Sequence, residues 1–106
     1  MVVVPVELDL TIADGLREAL LDVLNAGALG LVVDMTPTTF CDSAGISAIT
    51  RAVRRAAGHD AAIRLAVTSQ AVLRVLDLVG IDRLIAIFPD VEAALASLPD
   101  QARNLS

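Results

Sequence analysis

The chain has one cysteine, Cys41, and one histidine, His59, and this scarcity narrows its chemistry. A lone cysteine cannot close an internal disulfide, and multi-cysteine metal sites are excluded. With one histidine, the donors for zinc and the parts of a Ser/His/Asp triad are nearly absent. Aromatic residues are as sparse: Phe40 and Phe88 are the only two, which leaves no stacking platform for single-stranded nucleic acid. Positive charge is also short. A formal net charge of −5 opposes contact with a phosphate backbone, which needs a basic stripe, so no nucleic-acid partner is expected. Long apolar runs are missing too. The chain is 56% hydrophobic, yet its Ala, Leu and Val are broken up by charge, and no stretch nears the roughly 20 residues that span a bilayer. Nothing resembles a signal peptide. The expectation is a cytoplasmic protein with no membrane partner, no metal and no cofactor of its own.

The 106 residues suit one domain that buries roughly two-thirds of the surface its unfolded chain exposes. Val2 to Leu8 is a β-branched run interrupted by Pro5, which lacks a donor and suits an edge position or bulge. Leu16, Ala19, Leu20, Val23 and Leu24 follow the i, i+3, i+4 spacing of one helical face. Thr11 and Asp14 resemble a capping box for this helix, and Gly27 supplies its left-handed end. Leu31, Val32 and Val33 read as a strand covered on both faces. A second helix is predicted from Ser43 to about Ala57, burying Ile46, Ile49, Val53 and Ala56, with Arg51, Arg54 and Arg55 as a solvated stripe and Gly58 closing it. Ile63 to Val67 is a further strand. Ser69 caps a third helix with Val72, Val75, Leu76 and Val79 on its core side and Gly80 at its end. Leu84 to Phe88 is the last strand, and Pro89-Asp90 opens a short helix carrying Val91, Ala94, Leu95 and Leu98. The domain covers residues 1–98, followed by a polar tail, 99–106. Four strands alternating with four helices define an α/β fold with a mainly parallel sheet. Such sheets place their sites where strands end and helices begin.

That rule points to Phe40-Cys41-Asp42-Ser43-Ala44-Gly45. In one reading Ser43 or Asp42 is only an N-cap, worth about 1 kcal/mol. In another, the amides and dipole of the helix start seat an anion attached to Ser43, and a phosphoserine there adds about −1.5 to −2 charges. A third reading is a hydrolase nucleophile, but Cys41 stands where the nucleophile elbow wants Gly. His59 lies about 24 Å away along a continuous helix and cannot act as the base.

Beyond this segment, Glu7-Leu8-Asp9-Leu10-Thr11, Leu31-Val32-Val33-Asp34-Met35, Ser69-Gln70-Ala71-Val72-Leu73-Arg74-Val75-Leu76 and Gly80-Ile81-Asp82-Arg83-Leu84 occur in order. Together they resemble the anti-sigma factor antagonists, built on the STAS domain, over nearly the whole chain. The resemblance implies a phosphorylation switch. The unmodified antagonist binds an anti-sigma factor that is also a serine kinase, so that a sigma factor is released. Phosphorylation of Ser43, the position matching the phosphoacceptor, turns it off, and a serine phosphatase resets it. Nucleotide and magnesium belong to the kinase, and the chain itself is no enzyme. Asp9, Thr11, Cys41, Asp42, Ala44, Gly45 and Leu73 are the expected partner contacts. Cys41 also reads as a small packing residue, and Leu73 and Leu78 either face the partner or widen the buried face. A STAS-type scaffold that is never phosphorylated is the alternative.

Family members carry a further N-terminal strand and a glycine where Val6 stands; Gln70 replaces a common proline. The extra strand is expected to be missing, leaving Val2 to Val4 with an unpaired edge through which a homodimer could form.

Overall fold

The computed structural model describes residues 2–5, 7–8, 10–58 and 61–99. His59, Asp60 and most of the tail, as well as Asp9, lie outside the described residues. The main sheet has four strands, β1 (Val2–Val3), β3 (Gly30–Met35), β5 (Ala62–Val67) and β6 (Ala86–Phe88), in the order β1-β3-β5-β6 and parallel throughout. β2 (Glu7–Leu8) and β4 (Phe40–Cys41) form a separate parallel pair. The helices are α1 (Leu10–Asn25), α2 (Ser43–Gly58), α3 (Gln70–Val79) and α4 (Val91–Ala96).

Alternation along the central strands divides the interior in two. Leu31, Val33 and Met35 of β3, with Ile63, Leu65 and Val67 of β5, pack with buried residues of α1, α2 and α3. Val32 and Ala66 point the other way and meet Ala94 and Leu98 around α4. Both faces of the central strands are therefore covered, which is why their sequence is nearly continuous in apolar residues. The face of α2 is as its period predicts: Ile46, Ile49, Val53 and Ala56 are all buried. A half-buried guanidinium fastens α4 to the sheet, Arg64 Nε donating to Ser97 Oγ at 3.1 Å and Nη1 to the Ile63 carbonyl at 3.0 Å.

Several predicted ends hold. Ser69 accepts from the Val72 amide at 3.3 Å, Gly80 closes α3 at φ 81°, Gly27 takes φ 94° after α1, and Asp90 accepts from the Ala93 amide at 2.7 Å. Four expectations need correction. The run Val2 to Leu8 is not one strand. Val4 still donates to the Asp34 carbonyl at 2.8 Å, but Pro5 has no N–H to continue the ladder, and the chain leaves the main sheet to pair with β4. Helix α1 begins at Leu10, so Thr11 is inside it and is no cap; Asp14 instead pairs with Arg17 at 3.5 Å. The last strand starts at Ala86, because Ile81–Arg83 form a 3-10 turn and Leu84 and Ile85 serve as the connection from it to the sheet. Val79 is 54% exposed, since α3 runs past the core there and Ile81, after the Gly80 reversal, fills the buried place.

Candidate functional site

The segment between β3 and α2 is built from local hydrogen bonds. At the end of β3, Asp34 Oδ1 accepts from the amide and hydroxyl of Thr36 at 3.0 and 2.7 Å, an Asx turn that redirects the chain. The Thr38 amide then donates to the Met35 carbonyl at 3.0 Å. Thr38 is fully buried, and its hydroxyl donates to the Pro5 carbonyl at 2.8 Å, with Val4 carbonyl at 3.4 Å. A buried hydroxyl needs such a partner, and this one ties the site to the N-terminal segment. Directly afterwards the β2–β4 ladder pairs Glu7 with Phe40 and Leu8 with Cys41. The Thr38 hydroxyl and the two-residue β2–β4 ladder thus tie the approach to Ser43 to the N-terminal segment.

Strand alternation then sends Cys41 inward and Phe40 outward. Cys41 is buried, and burial, with the Asp42 carboxylate beside it, pushes its thiol up to about 11 from 9.0. It is a packing residue, not a reactive thiol. Phe40 is 53% exposed, an aromatic face beside the helix start that sequence reasoning left unassigned. Its signal was the alternation with Cys41.

The choice between Asp42 and Ser43 as helix cap is decided by geometry. Asp42 Oδ1 accepts the Gly45 amide at 3.1 Å, and the Asp42 carbonyl accepts the Ile46 amide at 3.1 Å. Asp42 is the N-cap. Ser43 is the first residue of α2 and is exposed. Its hydroxyl is not spent on capping, and it stands at the positive end of a 16-residue helix. Ala44, half-buried, and Gly45, buried, follow with little bulk.

The other expected contacts are less concentrated. Leu73 is half-buried against the main core, whereas Leu78 is 78% exposed, and Leu78 with Val79 supplies most of the exposed apolar surface of α3. The side chain of Thr11, like Asp9, lies outside what is described. Among the described residues no cluster of three or more His, Cys, Asp or Glu could hold a metal, and no helix is long and apolar enough to cross a membrane.

The STAS domain model matches residues 1–94, and the chain belongs to that family. Among solved structures, an anti-sigma factor antagonist from Mycobacterium paratuberculosis superposes with a TM-score of 0.83 at 22% identity, over 92% of this chain and 83% of the other. The Thermotoga maritima protein TM1081 is similar in its crystal structure (TM-score 0.82, 20% identity, 91% and 85% covered) and in its NMR structure (0.78, 21%, 90% and 77%). These identities speak for a shared fold. No curated protein matches the sequence.

Proposed function

We propose that this chain is an anti-sigma factor antagonist that binds an anti-sigma serine kinase while Ser43 is unmodified, so releasing a sigma factor. The kinase ends that state by transferring a phosphoryl group from ATP to Ser43, and a serine phosphatase restores it. In this cytoplasmic cycle the chain is substrate and ligand, and the catalytic groups belong to its partners. The observation that carries the reading is the division of labour at the start of α2: Asp42 caps the helix, which leaves the Ser43 hydroxyl exposed and uncommitted.

Charge supplies the switching force. A phosphate on Ser43 is tolerated by the helix start, where an anion gains about 0.3–1 kcal/mol, so the domain stays folded. The surface offered to the partner nevertheless acquires about −1.5 to −2 charges beside the carboxylate of Asp42. Phe40, Asp42, Ala44 and Gly45 lie within three residues of Ser43 along the chain, and we place the docking contact there, joined by Asp9 and Thr11, with the buried Cys41 supporting it from beneath and Leu73 adding only the part of its side chain that the core leaves open. A homodimer through β1 belongs to the same proposal. Among the described strands β1 pairs only with β3, and Val3 is 56% exposed beside an apolar cleft of about 320 Å³ lined by Val2, Pro5, Ile12 and Leu16.

Incubation with the cognate anti-sigma kinase and ATP tests the switch. Phosphate on the wild type and none on Ser43→Ala is the expected result. Transfer to neither protein, with binding retained, assigns the domain to the non-phosphorylated scaffold class. Light scattering at tens of micromolar tests the dimer, and a monomer there removes it.

A further inference from the structure

A groove between α1 and α2 opens beside Ala44, the residue after Ser43, and runs along α2 to Arg51, with a volume of about 260 Å³. Its origin lies in the sequence. Ala44, Ser47, Ala48 and Arg51 recur at i, i+3, i+4, i+7 and form the stripe of α2 that lines it. Ala13, Asp14 and Arg17 line it from α1. The alanines are too short to fill the space between the helices, so Ala13 and Ala48, both buried, become its floor. The polar groups stand on its walls.

Those groups are unevenly charged. Two guanidiniums, Arg17 and Arg51, face one carboxylate, Asp14, giving a local surplus of one positive charge on a chain whose net charge is −5. Arg17 pairs with Asp14 at 3.5 Å, but Asp14 is 78% exposed, so that bond is solvated and weak. Arg51 makes no ion pair or hydrogen bond with any described residue. The Ser47 hydroxyl sits one turn before Arg51 on the same face and adds a donor that rotates to suit a ligand.

We propose that this groove is a binding site for a small phosphate-bearing ligand, its oxyanion held by Arg17, Arg51 and the Ser47 hydroxyl. Guanidinium forks match phosphate geometry with paired N–H donors. The volume leaves room for a small organic group attached to the phosphate. The site is separate from the Ser43 switch and does not rest on it, although an occupant next to Ala44 would share the approach that a partner needs.

The test uses the full chain, uniformly labelled with 15N, titrated with inorganic phosphate, glycerol phosphate and acetate against sodium chloride at matched ionic strength. Saturable shifts are expected at the amides of Ala44, Ser47 and Ala48 and at the Nε–H groups of Arg17 and Arg51. The dissociation constant for inorganic phosphate should be about 1–10 mM, and that for glycerol phosphate equal or tighter. Arg51→Gln should weaken binding about tenfold, and Asp14→Asn should tighten it about twofold to threefold by removing the competing carboxylate. Unchanged melting temperatures certify that the variants are folded. Linear shifts that merely follow chloride overturn the site, as does equal binding by the Arg17→Gln/Arg51→Gln double variant. Tighter saturation by acetate than by phosphate overturns the ligand class.

Discussion

Removing the hydroxyl of Thr38 tests how the approach to Ser43 is held. Thr38→Val keeps the shape of a fully buried side chain and deletes its donor to the Pro5 carbonyl at 2.8 Å and, more weakly, to that of Val4 at 3.4 Å. A hydrogen bond of this kind contributes about 1 kcal/mol net, and an orphaned buried carbonyl raises the loss towards about 2 kcal/mol. At about 4–8 °C per kcal/mol for a domain near this size, the melting temperature should fall by about 4–16 °C. Stability alone does not locate the damage, because Thr38→Ser, which keeps the donor but loses a methyl group, also costs about 0.8 kcal/mol. Hydrogen exchange does locate it. Thr38→Val should lower protection at the amides of residues 7, 8, 40 and 41, the short β2–β4 ladder, more than along the six-residue pairing of β3 with β5. Thr38→Ser should lower both about equally. Uniform loss in the valine variant, or no loss at the short ladder, refutes the clamp.

Asp42→Ala should destabilise the domain by about 0.5–2 kcal/mol through loss of the cap on the Gly45 amide, while Ser43→Ala should change stability by less than about 0.5 kcal/mol; chemical denaturation compares them. The Cys41 thiol, pushed up to about 11, should react with iodoacetamide in the native protein far more slowly than in the denatured one at pH 8. Because the folded state holds that proton where the unfolded chain releases it, the contribution of Cys41 to stability is full below about pH 9 and declines as pH rises towards 11. Urea titrations of wild type and Cys41→Ala across that range should converge as pH rises. On α3, Leu78→Ser should cost less than about 0.5 kcal/mol, whereas Leu76→Ala, at a site fully closed to solvent, should cost about 2–5 kcal/mol. Similar losses at both positions would contradict the assigned faces.

Much of this architecture is legible in the sequence because long elements repeat their apolar positions. Ile46, Ile49, Val53 and Ala56 announce the buried face of α2, and Ser69 and Asp90 announce two helix starts, since each rule is local. Short elements escape. β2 and β4 have two residues each, too few to show a period, so the departure of the chain at Pro5 and its pairing beside Ser43 emerge only in three dimensions. The cap was ambiguous for a related reason. Asp42 and Ser43 are both good capping residues, and only the position of the Gly45 amide separates them. Arg51 reads as a solvated charge until α1 is laid against α2, when it proves to line the groove that faces Arg17. Phe40 reads as one more apolar residue until the pairing of β4 turns it outward.

The central claim is that the state of Ser43 governs the partnership, and one comparison tests it most directly. The affinity of the anti-sigma kinase should be measured for the unmodified chain and for the same chain carrying phosphoserine at position 43, with circular dichroism confirming that both are folded. The account predicts binding that weakens at least about tenfold on phosphorylation, which corresponds to about 1.4 kcal/mol. Equal affinity of the two forms would contradict it.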